Sequence, residues 1–363
     1  MVNKDNYCVI MAGGIGSRFW PMSRTSYPKQ FHDILGTGNT LIQQTFERFL
    51  HICPKENIYI VTNDLYRDLV KEQLDGISYD QILCEPSRRN TAPCVAYANE
   101  KIRSKNPNAR MIVAPSDHLV LKEQAFIATI ETALHQAQST GNLVTLGIKP
   151  SRPDTGYGYI QFTDAENAVD KNVRKVKTFT EKPNIDLARE FIKSGDFYWN
   201  SGIFIWTLES ITAAYKQHLP EVTELFEEGA AALNSDQEQE KIAEIYSVCE
   251  SVSLDYGIME KAKNVNVVLS DFGWSDLGTW GSLFTHVKKD KEHNAVIGKN
   301  VVLYNSSDNM VNVPENKLVV IQGLDNYILV DTEDVLLLCP KEEEQRIKQI
   351  VTDLKTGKNA NFA

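Results

Sequence analysis

Short apolar runs alternate with longer amphipathic stretches through the first half of the sequence, and this order constrains the fold most. The apolar runs are YCVIMA, NIYIVT, YDQILCEP, RMIVAPSD and NLVTLGIK; the stretches between them are TLIQQTFERFLHI, LYRDLVKEQL, TAPCVAYANEKIRSK and EQAFIATIETALHQAQ. Strands that alternate with helices predict an α/β domain with a mixed, mostly parallel, Rossmann-like sheet. Ligands of such sheets bind beyond the carboxyl ends of the strands, so motifs directly after the strands are expected at one edge.

The later sequence predicts a change of architecture near residue 290. Strand signals dominate residues 156–207, an acidic helical region covers 208–263, and VNVVLS is a further strand. From residue 291, short runs such as VVLYN, KLVVIQG and VLLLCP are separated by turn residues, and KEEEQRIKQIVTDLK is a final helix. We therefore predict an α/β domain at 1–290 and a small β-rich domain at 291–363 that ends in a helix.

Composition narrows the class of protein. The formal net charge of -10 over 363 residues argues against a nucleic-acid binder. The six cysteines are scattered without a CxxC pair, which favours reduced thiols over zinc or disulfides. The sequence contains neither an apolar run of membrane-spanning length nor a secretory signal pattern, so we expect a cytoplasmic protein without membrane association.

The stretch AGGIGSRFWPMSRTSYPKQF follows the first predicted strand. Its glycines are not followed by the Gly-Lys-Ser/Thr of a Walker A loop, and Phe19 stands where a dinucleotide fingerprint needs its last glycine. A dehydrogenase is also excluded because no ribose-binding acid follows about 20 residues on. Backbone N–H groups of such a turn can hold phosphate oxygens, with Arg18 and Lys29 as further phosphate contacts. The alternative is a tight turn followed by a solvated loop with ordinary surface cations.

The complete stretch resembles the signature G-G-x-G-x-R-L-W-P-x-S-R-x-x-x-P-K-Q-F of the sugar-nucleotide pyrophosphorylases, with Phe19 in place of leucine. This resemblance implies a nucleotidyltransferase domain of GT-A-like type, in the branch of the family that makes GDP-mannose. It implies nucleotide contacts from the turn, at Ala12, Gly13, Gly14, Gly16 and Ser17.

Two further motifs are similar to the family's nucleotide and metal sites. EPSRRNTAP resembles the loop that lines the guanine pocket, which implies base contacts from Glu85, Asn90 and Thr91, although Asn90 and Thr91 also suit a helix N-cap. The strand run VAPSD ends in Pro115, a nucleotide-side residue by resemblance, and Asp117. A carboxylate beyond a strand end near a triphosphate suits Mg²⁺, although turn and cap aspartates are more common.

The resemblance also implies a second Mg²⁺ ligand and a sugar site. In GWSDLGTW, Asp276 matches the second metal ligand of the family. The sugar-side residues implied by DTGYGYIQF, FTEKP and YWNSGIFIW are Gly156, Tyr157, Gly158, Glu181 and Asn200. Lys182 is implied to bind the sugar phosphate, although a surface Glu–Lys pair is the simpler interpretation. Asp255 in SLDYGIMEK is a structural or sugar-side residue.

These residues suit one reaction class. A sugar 1-phosphate is already an anion at neutral pH, so it can attack an α-phosphorus without a general base, and catalysis reduces to positioning and charge neutralisation. The resemblance narrows this class to transfer of a guanylyl group from GTP to mannose 1-phosphate, giving GDP-mannose and pyrophosphate, with Mg²⁺ as cofactor. It also implies that 1–290 is the catalytic domain and that 291–363 resembles a partial left-handed β-helix. Arg18, Lys29 and Lys182 are the predicted catalytic cations.

Two alternatives stay open. One is the same chemistry with another hexose or heptose 1-phosphate or another nucleoside triphosphate. The other is a catalytically silent nucleotide-sugar sensor. The C-terminal domain is also a candidate for pairing subunits into a homodimer.

Overall fold

The computed structural model describes residues 2–363. Over this range the chain folds into two compact units, each made of separate segments. The first unit contains the residues up to Gly13, Thr45–Ser116 and Val120–Trp274. The second contains Gly14–Gln44, Asp117–Leu119 and Ser275–Ala363.

The strands and helices follow the predicted order along the chain. The strands are β1 (Asn6–Met11), β2 (Ile58–Asn63), β3 (Ile82–Glu85), β4 (Arg110–Pro115), β5 (Leu119–Val120), β6 (Leu143–Ile148), β7 (Tyr159–Asp164), β8 (Val173–Thr180), β9 (Phe197–Thr207), β10 (Val265–Ser270), β11 (Trp274–Ser275), β12 (Ala295–Ile297), β13 (Val301–Tyr304), β14 (Met310–Asn312), β15 (Val319–Gln322), β16 (Tyr327–Asp331) and β17 (Leu336–Pro340). The α-helices are α1 (Leu41–Leu50), α2 (Arg67–Gln73), α3 (Thr91–Arg103), α4 (Glu123–Thr140), α5 (Ile185–Ser194), α6 (Leu208–His218), α7 (Pro220–Gly229), α8 (Glu238–Val248), α9 (Trp280–His286) and α10 (Ile347–Thr356). A π-helical turn covers Asp255–Met259, and 3₁₀ turns include Ser17–Phe19, Lys29–Phe31 and Lys341–Arg346.

The first unit is built on one mixed sheet. Among the described residues its strand order is β3-β2-β1-β4-β9-β6-β10-β8-β7. The strands β3, β2, β1 and β4 are mutually parallel, whereas β9 runs antiparallel between β4 and β6. Because β1, β3 and β4 end at the same edge, the loops that begin at Ala12, Pro86 and Ser116 leave from that edge. The prediction of a mixed sheet is confirmed; the half from β3 to β4 is wholly parallel, whereas antiparallel pairs predominate in the rest of the sheet.

Apolar strands and helices form the core of the first unit. Val9, Val61 and Val113 of adjacent strands are fully buried in the same cluster as Tyr97 of α3 and Phe226 of α7. The helices α6 to α8 come from the acidic region, and each buries one apolar face while its charged residues stay outside. Burial of these apolar surfaces is the main stabilising contribution.

The second unit contains short parallel ladders. β12, β14 and β16 are parallel neighbours, so Ala295, Met310 and Ile328 stack in one row, and β17 closes this sheet antiparallel to β16. β13 and β15 form a separate parallel pair. Asparagines support the stacking, since Asn294 Oδ1 accepts hydrogen bonds from Asn309 N and Nδ2 at 3.1 and 2.9 Å.

The segment Gly14–Gln44 belongs to the core of this second unit. Phe19, Trp20 and Trp280 lie in one buried cluster with Ile328, and Arg24 forms an ion pair with Asp334 at 2.5 Å. The compact units therefore do not coincide with two consecutive segments of chain, because the glycine-rich stretch packs with C-terminal residues. The predicted domain limits 1–290 and 291–363 stay a prediction.

None of the helices in the described range 2–363 is both long enough and apolar enough to cross a bilayer.

Candidate active site

The glycine-rich turn begins directly after β1. Ala12 N donates to Val61 O at 2.7 Å, which extends the parallel pairing by one residue. Gly16 has φ +66°, a conformation that L side chains rarely adopt, and a Cβ at this position would lie 2.5 Å from Lys29 Cβ. A side chain is therefore excluded at Gly16 by the backbone and by the packing of Lys29. Ser17 follows as the first residue of a 3₁₀ turn.

Lys29 is buried within the second unit, and its ammonium group is held by three acceptors. Nζ donates to Asp117 Oδ2 at 2.8 Å and to the backbone oxygens of Asp276 and Leu277 at 2.9 Å each. The Nζ atom also lies 5.4 Å from the ring centroid of Phe19. These acceptors match the three hydrogens of an ammonium group. Any phosphate oxygen that binds Lys29 therefore has to replace one of them.

The two predicted metal ligands meet at this ammonium group. Burial opposes ionisation of Asp117, but the charges of Lys29 and His118 outweigh it and lower the pKa of Asp117. Asp276 Oδ1 accepts a hydrogen bond from Gly278 N at 3.1 Å, and Arg18 donates to Gly278 O at 3.5 Å. The second unit thus brings Arg18, Lys29, Asp117 and Asp276 together from three separate stretches of sequence.

The residues present fit a divalent cation that is shared with a substrate. Within the described residues, no group of three or more His, Cys, Asp or Glu side chains is placed to hold a metal. Mg²⁺ commonly takes only one or two carboxylates and completes its shell with waters and phosphate oxygens. Asp117 and Asp276 supply the carboxylates of such a site, and the contact between Asp117 and Lys29 keeps that carboxylate ionised.

The predicted base-binding loop begins at the end of β3, in the first unit. Glu85 is buried, with 7% of its surface exposed, and its Oε1 accepts a hydrogen bond from Tyr246 Oη at 2.9 Å. Burial raises the pKa of Glu85 to about 7, although the hydrogen bond from Tyr246 and the charge of Arg88 act in the opposite direction. The charge of Glu85 therefore changes near neutral pH.

Asn90 and Thr91 shape the end of this loop. Asn90 has φ 68° and caps α3 with Oδ1, which accepts from Thr91 N at 3.0 Å. Thr91 Oγ1 accepts from Leu254 N at 2.9 Å. The cap role of Asn90 predicted from sequence is confirmed, and its role in base binding stays a prediction. Pro115, the last residue of β4, pairs with Met11 of β1 at the same sheet edge.

The predicted sugar-binding residues are neighbours within the first unit. Asn200 N donates to Gly158 O at 2.8 Å, and Lys182 N donates to Tyr157 O at 3.2 Å. A Cβ on Gly158 would lie 2.5 Å from Glu181 Oε2, so a side chain at this position would displace the Glu181 carboxylate. Lys182 Nζ donates to Glu181 Oε1 at 2.5 Å, while its side chain stays 56% exposed. Gly156 lies in the preceding loop, where its N–H donates to Asp154 Oδ1.

Asp255 joins the same group. Its Oδ1 accepts a hydrogen bond from Asn200 Nδ2 at 2.9 Å. Burial and the nearby charge of Glu181 raise the pKa of Asp255 to about 7, against the effect of Lys182. The sequence left Asp255 between a structural and a sugar-side role, and the structure places it beside two predicted sugar-binding residues.

An aromatic group lies next to these residues. Tyr157 makes edge contacts with Trp199 and Trp274 at ring-centroid distances of 4.9 and 5.4 Å. Arg152 lies over the Trp199 ring at 5.4 Å. No functional role was predicted for Trp199 or Trp274, because isolated aromatic residues in strand-like runs are usually core residues.

Comparison with known protein families identifies the family of this chain. A model described as nucleotidyl transferase matches residues 7–293. The chain belongs to the nucleotidyl transferase family. A second model, described as a MannoseP isomerase/GMP-like β-helix domain, matches residues 299–354 of this nucleotidyl transferase.

Relatives cover most of the sequence. This nucleotidyl transferase is 36% identical over 352 residues to an Escherichia coli protein named mannose-1-phosphate guanylyltransferase, across 95% of the chain and 75% of the relative. It is also 36% identical over 352 residues to the alginate biosynthesis protein AlgA of Pseudomonas aeruginosa, across 95% of the chain and 71% of the relative. A crystal structure described as mannose-1-phosphate geranyltransferase from Thermus thermophilus has a TM-score of 0.86 at 31% identity, and covers 97% of this chain and 99% of that one.

These findings confirm the family resemblance, the α/β fold with a C-terminal β-helix-like domain, and the enzyme class of this nucleotidyl transferase. Nucleotidyl transferases of this family generally use a divalent metal. The individual roles of the site residues stay predictions.

Proposed function

We propose that the chain transfers a guanylyl group from GTP to α-D-mannose 1-phosphate, giving GDP-mannose and pyrophosphate, with Mg²⁺ as the divalent cation. The choice of these substrates is supported by the names of relatives that match 95% of the chain at 36% identity. The chemistry is supported by one observation in the structure, the contact of a single ammonium group, that of Lys29, with both Asp117 and the turn at Asp276.

The reaction exchanges one phosphoanhydride for another. An oxygen of the sugar phosphate forms a bond to the α-phosphorus of GTP, and the bond from that phosphorus to the bridging oxygen breaks. Pyrophosphate leaves with the electron pair. Because the nucleophile is already ionised, the reaction needs positioned charges and no general base.

The residues of the chain supply those charges. Arg18 and Lys29 compensate the charge of the triphosphate and of the leaving pyrophosphate, and Lys182 holds the sugar phosphate. Glu181 and Asn200 bind the sugar hydroxyls. A divalent cation held by Asp117 and Asp276 supplies additional positive charge for the phosphate oxygens.

A pyrophosphate-release assay over a grid of nucleoside triphosphates and sugar 1-phosphates tests this function. We expect the highest kcat/KM with GTP and mannose 1-phosphate, and loss of turnover when the divalent cation is chelated. Equal rates with all bases would contradict the guanylyl assignment. A preference for another sugar 1-phosphate would favour the first alternative, and nucleotide-sugar binding without turnover would favour the sensor.

The homodimer through the C-terminal residues and the cytoplasmic location stay predictions.

A further inference from the structure

Glu85 presents its two carboxylate oxygens to different surroundings. Oε1 accepts the hydrogen bond from Tyr246 Oη at 2.9 Å. Oε2 faces the glycine-rich turn, where a Cβ on Gly13 would lie 3.5 Å from it. The backbone oxygen of Glu85 accepts from Asn63 Nδ2 at 3.1 Å. Both the main chain and one carboxylate oxygen are thus fixed, and the other oxygen is directed toward the turn.

Tyr246 is fixed as firmly as Glu85. It lies near the end of α8 with 1% of its surface exposed. The same loop that carries Glu85 also holds the backbone of this helix end, because Arg89 Nε donates to Tyr246 O at 2.9 Å and Nη2 donates to Ser247 O at 3.4 Å. The loop after β3 and the end of α8 are therefore connected through a side chain from each.

We infer that Tyr246 is a positioning residue for recognition of the base, and that its hydroxyl orients Glu85 so that the carboxylate accepts the N1–H and N2–H₂ donors of guanine. This inference rests on the proposed function. Adenine lacks this pair of donors, so a buried carboxylate discriminates against it, because the acceptor sites of the carboxylate that guanine would fill stay unpaired. Tyr246 comes from α8, a helix of the acidic region for which the sequence indicated no functional role.

Three groups that can carry charge face the Glu85 carboxylate, one from each neighbouring element. They are Arg88 of the same loop, Cys94 of α3 and Tyr246 of α8. Burial raises the pKa of Glu85 to about 7, and the hydrogen bond from Tyr246 opposes that rise. Removal of the hydroxyl therefore leaves less of the ionised carboxylate at pH 7. A rise of about one pKa unit corresponds to a tenfold decrease in the acid dissociation constant of the carboxyl group.

The test is Tyr246→Phe in the full chain, with kcat and KM for GTP measured between pH 6.5 and 9 and kcat/KM compared for GTP and ATP. We expect KM for GTP to rise about fivefold at pH 7, because a rise of about one pKa unit from about 7 lowers the ionised fraction from about one half to about one tenth. The difference should shrink at pH 9, where the carboxylate ionises in both proteins. We expect kcat to change by less than about twofold, and the preference for GTP over ATP to fall. Calorimetric titration with GTP alone should show the same loss of affinity.

Tyr97→Phe is the matched control. Tyr97 is also fully buried, and its hydroxyl donates to a buried carboxylate, Glu238, at 2.5 Å. We expect this variant to lose thermal stability without any change in the pH profile or in the choice of base.

The outcomes separate the inference from the function on which it rests. If the unmodified chain does not discriminate between bases, both are overturned. If it prefers GTP, and Tyr246→Phe keeps that preference and the original pH profile of KM, only the inference is overturned and Tyr246 is a structural residue like Tyr97.

Discussion

Asp276 uses its backbone and its side chain for different partners. The backbone oxygen accepts from Lys29 Nζ, whereas the side chain accepts from Gly278 N. A substitution that keeps the shape of this side chain should therefore leave Lys29 in place. The carboxylate charge of Asp276 can thus be tested separately from the fold.

We expect Asp276→Asn to lower kcat by two to three orders of magnitude, because removal of one well-placed charge at a phosphate-transfer site costs about this much. The amide oxygen can still accept from Gly278 N, so the melting temperature should stay close to that of the unmodified chain. Pyrophosphate release and thermal unfolding measure the two effects. Asp271→Asn is the control, since Asp271 is 90% exposed and paired with Lys122. Unchanged turnover in Asp276→Asn would contradict its assignment as a metal ligand.

Glu85 also has a consequence for the dependence of stability on pH. Its pKa is about 7 in the folded chain against an ordinary value of 4.5, so between these values the folded state retains a proton that the unfolded state releases. Stability therefore falls as pH rises from about 4.5 to 7, and the full penalty is present above 7. We expect Glu85→Gln, which cannot ionise, to gain up to about 3 kcal/mol of unfolding free energy at pH 8 relative to pH 4.5.

Urea unfolding at pH 4.5 and pH 8 measures this gain. Glu238→Gln is a control in which the pKa of the replaced carboxyl group is shifted in the opposite direction. Burial opposes ionisation of Glu238, but its hydrogen bonds with Lys101 and Tyr97 prevail and lower its pKa. That substitution should destabilise the chain at pH 8. An identical effect of Glu85→Gln at both pH values would show that the Glu85 pKa is not raised.

Single residues were predictable where their role is local. Asn90 was predicted to suit a helix cap, and in the structure its Oδ1 accepts from Thr91 N at 3.0 Å. Tyr246 was not predictable, because its partner Glu85 lies 161 residues away and a tyrosine on an amphipathic helix is ordinary core. Local hydrogen-bond chemistry can be read from sequence, and long-range pairing of polar groups cannot.

At the scale of elements, the glycine-rich turn connects backbone conformation with the position of Lys29. Gly16 and Gly14 differ in what a methyl group would meet. At Gly16 the φ is +66° and Lys29 Cβ would be 2.5 Å away, whereas nothing lies within 4 Å of a Cβ at Gly14. The two glycines thus form a matched pair for mutation.

We expect Gly16→Ala to displace Lys29, to destabilise the chain by about 1–3 kcal/mol and to lower activity strongly. Gly14→Ala should leave stability within about 1 kcal/mol. Chemical denaturation and the kinetic assay measure both variants. Equal stability of the two would contradict the requirement for a left-handed conformation at Gly16.

The first half of the fold was predictable at this scale because periodicity and end signals agree. The spacing of Leu41, Ile42, Phe46, Phe49 and Leu50 in TLIQQTFERFLHI is that of one helix face; the first four are buried and Leu50 is half-buried. The position of β9 was not predictable. An antiparallel strand between β4 and β6 depends on pairings such as Met111 with Trp206, which no local pattern encodes.

At the scale of the whole molecule, the core of the second unit depends on residues from both ends of the chain. Ile328 of β16 is fully buried in the cluster that also contains Phe19 and Trp20. Leu338 on the neighbouring strand β17 is 53% exposed. Truncation of Ile328, with Leu338 as the control, therefore tests whether C-terminal residues stabilise Gly14–Gln44.

We expect Ile328→Ala to lower the unfolding free energy by about 2–5 kcal/mol, as for other buried isoleucines, and to speed amide exchange in Gly14–Gln44. Leu338→Ala should change the unfolding free energy and the exchange in Gly14–Gln44 much less. Hydrogen exchange with mass spectrometry measures the effect, with peptides from β1 and β4 as internal reference. Unchanged exchange in Gly14–Gln44 in an Ile328→Ala protein of lowered stability would contradict this coupling.

The sequence indicated two successive domains because the pattern of apolar runs and turn residues changes near residue 290, and such patterns are local. In the structure, Gly14–Gln44 belongs to the same compact unit as Ser275–Ala363. Membership of a compact unit depends on which apolar surfaces meet, and a sequence pattern does not record the partner of an apolar face.

This discontinuity has a consequence during synthesis on the ribosome. Gly14–Gln44 is made long before Ser275–Ala363, its partners in the second unit. At translation rates of roughly 5–20 residues per second, the wait lasts on the order of 10 to 50 seconds. Phe19, Trp20 and Ile34, all buried in the finished unit, lack their C-terminal neighbours during this time. The nascent chain therefore carries an incomplete glycine-rich turn with exposed aromatic residues, which is the kind of surface that chaperones bind.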